Sequence, residues 1–94
     1  MKSTPSFPIP SITHEAHKLI NGSKRDSYGS ARESFTRIAT MWSVVLGTKV
    51  TPCQVALCMA ALKLCRESFK HSRDNCVDGA AYFDLADQVS DDKP

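Results

Sequence analysis

Apolar residues in this chain recur at intervals of three and four, as in helices that bury one face, and never alternate with polar ones over a strand's length. Helix breakers cut this pattern into four segments. The first runs from about Ile12 to Asn21. Ser11 or Thr13 opens it, and Gly22 is expected to close it in the left-handed conformation that a missing side chain permits. The second is opened by Ser30-Ala-Arg-Glu33, which reads as a capping box, and is stopped by Gly47. Its apolar stripe, Phe35, Ile38, Ala39, Trp42, Val45 and Leu46, falls on one face and is expected to be buried.

The third segment has the clearest start in the chain. In Thr51-Pro-Cys-Gln54, Thr51 caps, Pro52 fits the first turn and Gln54 reaches back to the cap. Val55, Leu57, Cys58, Ala61, Leu62, Leu64, Cys65 and Phe69 cover roughly half of its circumference, wider than a normal surface stripe, which predicts a central helix. The fourth segment runs from near Ser72 to about Val89, with Asp74 in the first turn where the helix dipole favours an anion. Gly79 inside it costs about 1 kcal/mol relative to alanine, so a close helix contact is expected there. The fold class is therefore all-α, a small bundle of one short and three longer helices over residues 11–90.

The ends differ in character. Residues 1–10 carry prolines at positions 5, 8 and 10, which block helix and favour an extended arm that Phe7 and Ile9 can anchor on the domain or on a neighbouring subunit. Residues 91–94 form a polar tail. At 94 residues the chain has room for one core. A core of this size buries only roughly 60 to 65% of the unfolded surface, which makes a subunit of a homo-oligomer the expectation.

Composition narrows the functional classes. A net charge of +2, with 23% charged residues, demands neither a membrane nor a bulk polyanion. No stretch has the ~20 apolar residues of a membrane span, and no signal-peptide core is visible, so a cytoplasmic location is expected. Cys53, Cys58, Cys65 and Cys76 form no C-x-x-C pair. Cys58 and Cys65, seven apart on one face, read as small core residues.

Three polar features could carry chemistry. The loop Gly22-Ser-Lys-Arg-Asp-Ser-Tyr-Gly-Ser30 brings Lys24, Arg25 and Tyr28 to the start of the second helix, where free amides suit an anion and a ring can stack on a base. Lys63, Arg66 and Lys70 make a basic stripe spanning about 60° of the third helix. That stripe either grips phosphates or, with Lys63 paired to Glu67, is an ordinary solvated face. Asp74, Asp78 and Tyr82 stack at intervals of four on the fourth helix, with His71 just before it. Two carboxylates one turn apart suit Mg²⁺ that already carries a substrate phosphate, and Glu33 is the candidate third ligand unless it pairs with Arg37. No nucleophile elbow, Walker loop, zincin motif or DNA-reading helix-turn-helix is present.

The strings Ser27-Tyr-Gly29, Arg32-Glu-Ser-Phe35, Trp42-Ser43, Ala61-Leu-Lys63, Arg66, His71, Asp74 and Asp78-Gly-Ala-Ala-Tyr82 resemble a family of small phage and prophage proteins of unknown function. The match covers about residues 12–88. Ser34 stands where that family has asparagine and Ala81 where it has glycine. More distantly, the order of these residues is similar to phage domains associated with nucleotide modification and to all-helical nucleotide pyrophosphatases. The latter hold Mg²⁺ with a Glu-Glu-x-x-Glu run and a later Glu-x-x-Asp, whereas Glu33 stands alone here.

The resemblance thus implies a phage-encoded protein binding a nucleotide or related phosphorylated small molecule without hydrolysing it. Taken with the loop and spacing above, Lys24, Arg25, Tyr28, Lys63, Arg66, His71 and Tyr82 would contact the ligand, with Mg²⁺ at Glu33, Asp74 and Asp78 if a metal takes part. Two other readings stay open: an interaction protein that inhibits or redirects a host protein, and a Mg²⁺-dependent pyrophosphohydrolase. Scattered polar residues beside an exposed apolar patch would favour the interaction protein.

Overall fold

A computed structural model describes residues 9–22 and 30–91. They form four helices, α1 (Ile12–Asn21), α2 (Ala31–Leu46), α3 (Pro52–Phe69) and α4 (Arg73–Gln88). The described residues contain no strand. The all-α expectation holds, and each helix begins and ends within a residue or two of the expected bounds.

The caps explain the boundaries. Ser11 Oγ accepts the His14 N–H at 3.1 Å and opens α1. Thr51 and Gln54 complete both bonds of the box at the start of α3, at 3.2 and 2.9 Å. The box at α2 is only half made. Ser30 Oγ accepts the Glu33 N–H at 3.1 Å, while the Glu33 side chain stays exposed and does not return the bond. Gly47 ends α2 at φ 68°, as expected, and donates to the Ser43 carbonyl.

Gly22 departs from expectation. Its φ is −90°, so it is not the left-handed residue anticipated. Glycine is required there for a different reason: a Cβ would lie 2.8 Å from the Lys18 carbonyl oxygen. At the start of α4, Ser72 provides no side-chain cap. Glu67 of α3 supplies the acceptor instead, taking the Ser72 N–H at 2.9 Å.

Helix α4 is the shared element, packed most extensively on α3, then on α1, and only lightly on α2. The single core expected from chain length divides in two along it. Phe35, Ala39, Val55, Ala56, Ala86 and Val89 form one cluster among α2, α3 and the end of α4. Ala16, Val77 and Ala81 form the other between α1 and the first half of α4. Arg73 ties the α1 end together, donating to Glu15 at 3.0 Å and to the Pro10 carbonyl. Arg32 bridges the other end, reaching the Val89 carbonyl and Asp91, each at 3.2 Å.

The interior is made of small side chains. Six of the ten buried apolar residues are alanines, and the largest fully buried ones are Val55 and Val89. Ala56 and Ala60 let α3 lie close to α4, and Gly79 faces Lys63 there. A Cβ at Gly79 would still come no nearer than 3.9 Å to the Lys63 Cβ, an ordinary contact, so packing does not demand the glycine.

The large apolar side chains are mostly outside, contrary to two expectations. Along α2, Phe35 and Ala39 are buried and Ile38 and Trp42 partly so. Val45 (81% exposed) and Leu46 are exposed in its last turns, as are Met41 and Val44. On α3 only Val55 of the expected apolar arc is buried. Leu57, Cys58, Ala61, Leu62, Leu64, Cys65 and Phe69 are all exposed, so Cys58 and Cys65 are not core residues. Ile9, at the end of the arm, is exposed too, and Phe7 lies outside the described residues.

Candidate functional site

Helix α3 has an inverted polarity. Its charged residues are Lys63, Arg66 and Glu67. Two of them turn inward, towards α4. Lys63 Nζ lies 3.1 Å from Asp78 Oδ2, with side chains only 16% and 32% exposed. Glu67 Oε1 accepts from the Ser72 N–H and, at 3.2 Å, from Asn75 Nδ2, while its Oε2 meets His71 Nδ1.

These donors hold the Glu67 carboxyl down to about 2. The His71 hydrogen bond is the largest cause and the Ser72 amide the next; burial works in the opposite direction. The outward half of α3 carries no charge from Pro52 to Cys65. On it, Cys58, Leu62, Cys65 and Phe69 follow one another at intervals of four, three and four, the spacing of a helix-packing seam. Leu57, Ala61 and Leu64 run beside them, and Leu64 (71%) and Phe69 (92%) are largely exposed.

The residues expected to bind a phosphorylated ligand are brought together only in part. Lys63 and Asp78 meet, but they neutralise each other, and Lys63 does not pair with Glu67 as the solvated-face reading had it. Arg66 and Lys70 are exposed and make no ion pair among the described residues. Glu33 and Asp74 are exposed as well, and among the described residues no ion pair joins Glu33 to Arg37. Glu33, Asp74 and Asp78 do not converge. The one group of potential ligands close enough for a single ion, among the described residues, is Glu67, His71 and Cys76. Lys24, Arg25 and Tyr28 lie outside the described residues.

Tyr82 lines an open groove of about 510 Å³ with Ser34, Phe35, Ile38 and Trp42 of α2 and Val55 and Met59 of α3. Lys63 follows Met59 by one turn and Asp78 precedes Tyr82 by one turn, so the ion pair borders this groove.

Comparison with known proteins places this architecture. Residues 11–90 match the family described as domain of unknown function DUF6378. The chain belongs to that family. The matched span of this DUF6378 domain contains the four helices of the described residues, from the Ser11 cap to just beyond the end of α4. The Gene 55 protein of Mycobacterium phage L5 is 38% identical over 82 residues, covering 84% of this chain and 52% of that protein. The Gene 55 protein of Mycobacterium phage D29 is 32% identical over 80 residues, covering 84% and 53%. The chain thus spans about half the length of these curated phage relatives. No solved structure matches it.

Three features of this DUF6378 chain escaped sequence reasoning. Ser43 Oγ donates to the Ala39 carbonyl at 2.7 Å and accepts the Val50 N–H at 2.8 Å, which fixes the turn between α2 and α3. Only its place four residues before Gly47 hinted at this. Glu67, a possible partner for Lys63 by spacing, instead accepts the Ser72 N–H at the start of the next helix. The seam spacing on α3 was visible; its outward direction was not, because α3 alone does not reveal which of its faces α4 covers. Among the described residues no helix is long and apolar enough to cross a membrane.

Proposed function

We propose that this chain is a protein-interaction module that works through the outward face of α3, with a second copy of the chain as the partner. The observation that carries this is the inversion of α3, with charged Lys63 and Glu67 turned to α4 and Leu62, Leu64, Cys65 and Phe69 turned away. Contiguous exposed apolar surface of this kind marks a docking site. An interior built mainly of alanine and valine leaves a small domain short of burial, which association supplies.

A second copy fits better than an unrelated chain. The seam from Cys58 to Cys65 lacks charge, so it needs no countercharge from a partner and is complementary to itself across a two-fold axis. Sedimentation velocity over a wide concentration range tests the reading. Concentration-dependent dimers are expected. A chain that stays monomeric to about 100 μM would refute it, since even weak specific dimers have dissociation constants in that range or below.

A second reading, binding of a nucleotide-like molecule, is supported by the groove between Trp42 and Tyr82. Its volume of about 510 Å³ lies in the range of small-molecule sites, and three aromatic rings, Phe35, Trp42 and Tyr82, line it. In this reading a base sits in the groove, and its phosphate competes with Asp78 for Lys63. Thermal shifts across a nucleotide panel, with and without Mg²⁺, test it. A ligand-dependent rise that Tyr82→Ala abolishes is the expected result, and no shift for any nucleotide eliminates the reading. The hydrolase reading loses its main support, because Glu33, Asp74 and Asp78 do not gather around a common point.

A further inference from the structure

The turn joining α3 to α4 brings three chemically different ligands together. Glu67 lies in the last turn of α3, His71 in the connection and Cys76 at the fourth residue of α4. Their Oε2, Nδ1 and Sγ atoms all lie within 4.8 Å of one another, with Cys76 Sγ 3.8 Å from Glu67 Oε2. We propose that Glu67, His71 and Cys76 form a binding site for one borderline-soft divalent metal, of which zinc is the natural occupant. This is independent of the proposed docking surface.

Several features support this beyond proximity. An imidazole nitrogen, a thiolate and one carboxylate oxygen make a mixed set that favours zinc and its neighbours over Mg²⁺ or Ca²⁺, which prefer oxygen alone. Glu67 is also oriented as metal-bound carboxylates are. Its Oε1 is held by the Ser72 N–H at 2.9 Å and Asn75 Nδ2 at 3.2 Å, which leaves Oε2 directed at the other two ligands.

Tetrahedral zinc with bonds of about 2.0 to 2.3 Å separates its ligands by roughly 3.3 to 3.7 Å. His71 and Glu67 would therefore move slightly apart and Cys76 slightly closer. His71 is free to do so, with 74% of its side chain exposed. On binding, the Cys76 thiol releases its proton to solvent as the metal–sulfur bond forms, and so does His71 if it is protonated; no electron is transferred. A water would complete the tetrahedron. The bound ion would clip the α3–α4 turn, which otherwise rests on hydrogen bonds from Glu67.

Cobalt(II) is the direct probe, because a thiolate ligand gives it a charge-transfer absorption in the near ultraviolet. The full chain, stripped with a chelator, should bind one equivalent with that band, and zinc should displace it. Cys76→Ser should abolish the band, and His71→Ala should weaken binding by about tenfold or more. Cys58→Ser and Cys65→Ser, which alter exposed thiols elsewhere, should leave it intact. Thermal melts in chelator establish that each variant is folded. A band that survives Cys76→Ser, or disappears with Cys58→Ser or Cys65→Ser, would overturn the assignment, as would the absence of any band at micromolar cobalt. If Cys76→Ser fails to fold, His71→Ala decides alone: unchanged cobalt affinity would overturn the site.

Discussion

Replacing Leu64 by glutamate separates the docking role of α3 from its folding role. Leu64 is 71% exposed in the isolated chain, so the substitution removes little intramolecular burial and should change monomer stability by no more than about 0.5 kcal/mol. At an interface the accounting differs. Burying a whole leucine contributes about 2 kcal/mol, and the exposed portion of Leu64 therefore about 1.4 kcal/mol. A two-fold axis uses each residue twice, which brings the loss to about 3 kcal/mol, or roughly a hundredfold in the dimer dissociation constant.

Burying a carboxylate without a partner can only add to this. Sedimentation velocity on both proteins gives the dissociation constants, and urea melts at concentrations well below them give monomer stability. The expected result is a dimer weakened about a hundredfold with an almost unchanged urea midpoint. Equal dissociation constants, or a large fall in monomer stability with intact association, would refute the inverted-helix reasoning.

Three further expectations follow from the packing of α3 on α4. Gly79→Ala should stabilise the protein by about 0.5 to 1 kcal/mol, since a Cβ meets only ordinary contact with Lys63; a lower urea midpoint would show that the two helices approach more closely there. Lys63→Met should cost about 1 to 3 kcal/mol by leaving the partly buried Asp78 carboxylate without its partner, and adding Asp78→Leu should recover most of that; a double variant as unstable as the sum of the two single ones would mean the pair is not coupled. Glu67 titrates near 2 in the folded chain against 4.5 without its partners, so its contribution to stability is complete above about pH 4.5 and is lost as the pH falls towards 2. Glu67→Gln should flatten that part of the acid limb, and an unaltered limb in pH-dependent melts would rule out the assignment.

Much of the fold was legible in the chain because its helix boundaries are set locally. Ser11, Ser30, Thr51 and Gly47 act within one turn of themselves, and a local signal survives whatever tertiary structure follows. Gly22 misled for a related reason. Glycine after a helix serves either a positive φ or a close approach to a carbonyl, and the residue type does not distinguish them.

The faces of α3 were harder to read. An apolar arc over roughly half of the circumference predicts a central helix, whereas the small residues Ala56 and Ala60, not the large ones, meet α4. Charge is normally a guide to the solvent side, and Lys63 and Glu67 reverse it by finding partners on the neighbouring helix. The candidate site suffered similarly. Spacing alone put Asp74 beside Asp78, but only packing shows that Asp78 is committed to Lys63 and that the turn at residues 70–72 folds His71 and Cys76 back towards Glu67.

The division of the interior into two clusters along α4 also bears on how the molecule breathes. Helix α1 has ten residues, too short to persist alone in water, and rests on Ala16 and on the bonds of Arg73. Its amides should therefore exchange with solvent through an opening that leaves α2, α3 and the second half of α4 closed, while the amides around Val55 and Val89 wait for global unfolding. On this reasoning the described residues should open as two cooperative units sharing one helix. The first half of α4, with Val77 and Ala81 uncovered whenever α1 lifts, is the segment that belongs to both.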